Sequence, residues 1–187
     1  MAVTDDFNRS NGALGANWTA VGDEPAPSIN TNAAIGNGIE YGAAFYDAVT
    51  FNATHTSQIV KANASNYVAP AVRMVEEVPG FGKWVGYFNH GDLQVCTGGV
   101  ASSIGSPVTF ASGDTAKLSV NGNVYTMSKN GSNDPGGTVT NATLSGGAAG
   151  FIIHGSAATL DNWEGTGEVG AASPSKRVSS LTMVGCQ

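Results

Sequence analysis

The chain is short of charge, cysteine and histidine, and each shortage excludes a class of function. Charged residues make up 12% of its 187 residues, about half of ordinary globular usage. The eight basic residues are scattered, and only Lys176 and Arg177 stand together. Nucleic-acid binding needs a basic stripe that replaces counterions, and none is present. The net charge of −6 reads as a solubility feature rather than a partner signal. Only Cys96 and Cys186 are present. They stand too far apart for a zinc or redox motif, and the sequence leaves open whether they are two free thiols or one bond. The three histidines, His55, His90 and His154, are isolated from one another. No apolar run approaches the ~20 residues of a membrane-spanning helix. Met1-Ala2-Val3 leads through Thr4 into Asp5-Asp6, with no basic start and no apolar segment. The expectation is synthesis and folding in a cytoplasm, with no membrane partner.

Long helical periodicity is also missing. Short β-rich runs broken by Gly, Asn, Asp and Pro recur instead. The clearest is Ala116-Lys117-Leu118-Ser119-Val120, then Asn121-Gly122, then Asn123 to Lys129. Ala116, Leu118 and Val120 face one way, Lys117 and Ser119 the other. Asn-Gly favours the positive φ of a tight hairpin. A second turn follows at Asn130-Gly131. Val68 to Glu76 reads as a strand with Val68, Val72 and Met74 on one face. Lys83 to Asn89 places Trp84 and Phe88 on one face, Val85 and Tyr87 on the other. Further strands are expected at 39–51, 54–62, 93–97, 150–154, 159–164 and 178–184. About a dozen short strands with frequent turns predict an all-β, two-sheet antiparallel sandwich. Residues 1–165 read as this domain. Residues 166–187 read as a C-terminal extension, a linker with an edge strand or docking arm.

Three segments resemble the concanavalin A-like, laminin-G-like jelly rolls. They are the opening Asp5-Asp6-Phe7-Asn8-Arg9-Ser10-Asn11-Gly12 through Trp18, the hairpin Gly113-Asp114-Thr115 with Leu118 and Val120-Asn121-Gly122, and Gly150-Phe151 followed by Leu160-Asp161-Asn162-Trp163-Glu164. The resemblance implies that the first and last strands pair, with Phe7 and Trp163 in one core. It also implies that Asp5 or Asp6 with Asp161 would supply oxygen ligands for calcium, the one cofactor considered. The opening is most similar to the subtype common in tailed-bacteriophage structural proteins. That implies a non-enzymatic virion protein, a capsid decoration or minor tail component assembled in host cytoplasm. Its partners would be major capsid or tail proteins and copies of itself. The alternative is a carbohydrate-binding or receptor-binding module for cell-surface glycan, with Trp84 and Tyr87 as aromatic contacts.

Catalysis finds no expected residues. Glycoside hydrolysis needs two carboxylates flanking one bond. Glu76 and Glu77 are adjacent, and Asp161 and Glu164 are three apart, so each pair is expected on opposite faces of a regular strand. No G-x-S-x-G is present. Gly165-Thr166-Gly167-Glu168-Val169-Gly170 lacks the strand–helix context of a dinucleotide loop.

Overall fold

In a computed structural model of the chain, residues 2–22, 25–38, 41–77 and 82–171 are described, with side chains described to residue 167. Among them there is no helix. The strands, in chain order, are β1 (Ala2–Asp5), β2 (Gly12–Ala13), β3 (Trp18–Ala20), β4 (Ser28–Asn30), β5 (Ala33–Ile35), β6 (Tyr41–Tyr46), β7 (Val49–Lys61) and β8 (Tyr67–Val75). They continue with β9 (Lys83–Phe88), β10 (Asp92–Thr97), β11 (Val100–Gly105), β12 (Thr115–Asn121), β13 (Val124–Lys129), β14 (Ser132–Thr140), β15 (Ala148–His154) and β16 (Thr159–Ala171). They form two antiparallel sheets. The first has the order β14-β13-β12-β7-β16-β5-β4-β2, with β1 also on β16; the second has the order β11-β10-β9-β8-β15-β6-β3.

The β12–β13 hairpin forms as its alternation predicts. Ala116, Leu118, Val120, Tyr125 and Met127 are buried in the core. Asn121 pairs with Val124, so the two loop residues are Gly122 and Asn123, one position later than the Asn-Gly pair suggests. Gly122 supplies the positive φ, 56°, which glycine adopts without a Cβ clash. At the second turn Lys129 pairs with Ser132 across Asn130-Gly131.

The terminal strands pair, Thr4 opposite Glu164 and Asp5 opposite Trp163. Phe7 and Trp163 are both fully buried. Trp18 joins them, with ring centroids 5.9 Å from Phe7 and 4.8 Å from Trp163, and Phe151 closes the group from the second sheet. The Trp163 indole donates to the Ser57 hydroxyl at 3.1 Å, and that hydroxyl donates to the Gly150 carbonyl. One polar relay therefore links the two sheets inside the core.

Two bulges change which way side chains point. In β8 the pairing slips at residues 72–75 and Arg73 takes a φ of 57°. Val68 and Val72 stay in the main core, Arg73 turns inward, and Met74 is sent to the outer face. The expected grouping of Met74 with Val68 and Val72 is corrected by this extra residue. In β16 the pairing slips between Asp161 and Glu164, with Asn162 at a φ of 47°. β16 also runs past residue 165 to Ala171 against β7, so the expected domain boundary falls inside a strand. The strand expected at 178–184, and Cys186, lie outside the described residues. Cys96 is buried and free.

Candidate functional site

The two outer faces of the sandwich differ. The second sheet carries apolar residues there too. Ala69, Ala71, Trp84, Phe88, Cys96 and Ile152 form a cluster with Val21, and Tyr41 and Phe45 pack against it. Trp84 is 3% exposed and Tyr87, on the core side, 0%. Trp84 and Tyr87 thus fall on opposite faces as the alternation requires, but neither ring is open to a sugar, and both are corrected to packing roles. The Tyr87 hydroxyl donates to the Val108 carbonyl at 2.6 Å, and burial pushes its pKa up to about 12. Of the neighbouring polar groups, the Asn89 side chain accepts from the Val68 N–H. His90 lies 4.4 Å from Tyr67, which is 41% exposed.

The first sheet presents a polar outer face. Its strands send Ile59, Leu118 and Met127 inward, so Gln58, Lys117 and Ser128 point out. The registers align these residues across the sheet. Asn133 opposes Ser128, Ser128 opposes Lys117, Lys117 opposes Gln58, Gln58 opposes Glu164, and Glu164 opposes Thr4. At about 4.8 Å per strand, this row is roughly 24 Å long. A second row is built of hydroxyls: Thr138, Thr126, Ser119, Thr56 and Thr166. The Thr56 and Thr166 hydroxyls are bonded at 2.7 Å.

Two grooves lie along this face and share Gln58. One, of about 510 Å³, is lined by Thr4, Asp6, Gln58, Asn162 and Glu164. The other, of about 240 Å³, is lined by Gln58, Lys117, Ser119, Thr126, Ser128 and Asn133. No aromatic ring projects from either floor: Trp163, the one aromatic lining residue, has its side chain in the core. Recognition here would run through hydroxyls, amides and one ammonium at close spacing. The signal in the sequence was the polar half of each alternating strand; nothing local told which sheet face stays open.

The β16 bulge also corrects the placing of carboxylates. Asp161 pairs with Val60 and Glu164 with Gln58, so both point outward. They occupy successive outward positions on one face, and Glu164 shares a groove with Asp6. The expected metal ligands do not converge, however. Asp5 accepts two bonds from the Arg9 guanidinium at 2.6 and 2.9 Å, one from the Trp18 indole at 2.7 Å and one from the Phe7 N–H at 2.8 Å. Burial alone would raise the Asp5 pKa; these donors outweigh it and hold the carboxyl below its ordinary value. Asp6 accepts from the Asn8 N–H and Asp161 from the Asn162 N–H. Among the described residues no three His, Cys, Asp or Glu side chains lie close enough to hold a metal. Asp5, Asp6 and Asp161 do not fit a calcium ion.

This architecture is a concanavalin A- and galectin-like jelly-roll β-sandwich. Among solved structures, the chain is similar to the carbohydrate-binding module CBM66 from Bacillus subtilis, with a TM-score of 0.59 and 16% identity over 81% of this chain and 94% of that one. It is also similar to the exoplasmic/lumenal domain of VIP36 in a Ca2+/Man-bound form, with a TM-score of 0.56 and 8% identity over 82% and 84%. A prokaryotic β-1,3-1,4-glucanase (lichenase) derived from a mouse hindgut metagenome gives a TM-score of 0.53 and 7% identity over 90% and 99%. At these identities the likeness is one of fold. No family model and no curated protein matches the sequence.

Proposed function

We propose that this is a non-enzymatic carbohydrate-binding domain that lays an extended glycan across the outer face of its first sheet. The observation that carries the reading is the pair of cross-strand rows, one of hydroxyls and one of amide and charged groups, on a face with no aromatic floor. Closely spaced donors and acceptors on a rigid sheet match a ligand that is itself a row of hydroxyls. The likeness in fold to a carbohydrate-binding module supports the same reading. Asp161 and Glu164 lie on this face, but it is open to solvent. A general acid needs an enclosed or charge-crowded site that keeps it protonated, so these groups serve as hydrogen-bond acceptors.

The virion setting expected from the opening residues remains a proposal. There the domain would be the receptor-binding part of a particle rather than a decoration held by capsid or tail proteins. Mass spectrometry of purified particles tests that location.

The function is tested on immobilised polysaccharides and a glycan array. Wild type binds at least one polymer and releases no reducing ends from it. Each hydrogen bond removed costs about 1 kcal/mol, so Gln58→Ala with Lys117→Ala weakens binding roughly tenfold or more. Absence of binding to every polymer, or equal binding by the double variant, defeats the reading.

A further inference from the structure

Among the described residues, every lysine and arginine but one is answered by protein groups. Arg9 pairs with Asp5, Lys83 with Glu77 at 3.1 Å and Lys129 with Asp114 at 2.9 Å. Lys61 donates to the Ser65 and Asn66 carbonyls, both at 3.1 Å, and Arg73 to the Ala53 and Gly122 carbonyls. Lys117 is the exception. Its ammonium has no ion pair and no hydrogen bond among the described residues. It is half-buried and stands mid-row on the outer face of the first sheet, between Gln58 and Ser128.

The groove around Lys117 contains no carboxylate. Gln58, Ser119, Thr126, Ser128 and Asn133 line it with amides and hydroxyls, each able to donate a hydrogen bond. The larger groove beside it has the opposite charge. Asp6 and Glu164 line it, and Asp161 points out on the same face. None of these three carboxylates has an ion pair among the described residues. Glu164 lies two strands from Lys117 along the row, about 10 Å at the spacing of a sheet. The face is therefore polarised along its length, with an unanswered cation in one groove and unanswered anions in the next.

A cation among hydroxyl and amide donors favours an anionic group of the ligand, and carboxylates about 10 Å away repel a second one. We propose, on the reading that this face binds glycan, that the ligand is a sparsely acidic polysaccharide. One uronate carboxylate sits on Lys117, and the sugars that follow it over Gln58 and Glu164 are neutral. The charges also fix the register: a chain slid along the row would bring its uronate onto Asp6 and Glu164. Polymers charged at every sugar are disfavoured for the same reason.

The test is retention of the full chain on immobilised gellan, whose repeat carries one glucuronate among neutral sugars. Carboxyl-reduced gellan, polygalacturonate and dextran are run beside it. Gellan holds wild type about tenfold or more tightly than reduced gellan does, the value of one hydrogen bond to a charged group. It also holds wild type more tightly than polygalacturonate or dextran. Raising the ionic strength from about 0.01 to 0.15 M shortens the screening length from about 30 to 8 Å; this weakens binding to gellan and not to its reduced form. Lys117→Met keeps the aliphatic stem without the charge and binds the two forms alike. Equal binding of wild type to gellan and reduced gellan overturns the inference. So does a Lys117→Met variant that keeps the wild-type preference, or polygalacturonate bound as tightly as gellan. Wild type held by another polymer of the glycan array but not by gellan overturns it too, and leaves the face a glycan site. Binding to no polymer removes both readings.

Discussion

Asp5 offers a direct test of how the opening segment is fastened. In Asp5→Ala the Trp18 indole N–H, which is 9% exposed as a residue, loses its acceptor. An unanswered buried donor costs about 1–3 kcal/mol. The Arg9 pair is partly exposed, with side chains 37% and 11% accessible, so its loss adds only about 1 kcal/mol. The turn bond to the Phe7 N–H adds about 1 kcal/mol more. The sum, about 4 kcal/mol, corresponds to a Tm lower by roughly 12 °C for a chain of this size. Asp5→Asn keeps one oxygen, which can serve the Trp18 indole or the Phe7 N–H but not both, because these bond different oxygens of Asp5. With the ion pair also lost, stability falls by about 2 kcal/mol, roughly 6 °C. Differential scanning calorimetry of both variants, with calcium or with chelator, reads these shifts. A wild-type Tm that rises with calcium, with the rise lost in Asp5→Ala, would refute the reasoning and restore Asp5 as a metal ligand. So would an Asp5→Ala variant as stable as wild type.

Three further outcomes concern the core. Burial, opposed by the Asn52 carbonyl and reinforced by the charge of Arg73, lowers the His55 pKa to about 4 from an ordinary 6.5. The native state favours neutral His55, so its stabilisation is complete above pH 6.5 and is lost as pH falls toward 4. The loss is about 3 kcal/mol, read by urea unfolding at pH 7 and pH 4.5; His55→Gln flattens the profile in that window. Gly150→Ala puts a methyl against the Ala44 carbonyl and 2.6 Å from the Phe45 Cα; it should fail to fold, as judged by near-UV circular dichroism. Trp84→Ala removes a nearly buried ring and lowers stability by about 3–5 kcal/mol, while any folded fraction, isolated by size exclusion, binds glycan as wild type does.

The β12–β13 hairpin was readable in the sequence because its alternation and turn residues agree. So was β9, where Trp84 and Phe88 take one face and Val85 and Tyr87 the other. The pairing of the first and last strands followed from the resemblance of the opening and closing motifs. What misled was the assumption of regular strands. One extra residue at Arg73 and one at Asn162 reverse the faces of the residues beyond them in each strand. The first places a cation in the core; the second gathers Asp161 and Glu164 on one side. The aromatic patch misled for another reason. Trp84 belongs to a second apolar layer outside its sheet, which it shares with Val21 and Tyr41, both distant in the sequence. Which sheet face stays open is likewise a tertiary property. Ser119, Thr126 and Thr56 read as ordinary outward residues until the registers bring them into one row.

The claim that the first sheet binds glycan is tested most directly by titrating an isotope-labelled chain with the polysaccharide it retains and following amide and side-chain NMR shifts. The account predicts that shifts cluster on Gln58, Lys117, Ser119, Thr126 and Glu164, and that Tyr67 and His90 on the opposite face stay still. Shifts centred on Tyr67 and His90, with the row on the first sheet unmoved, would contradict it.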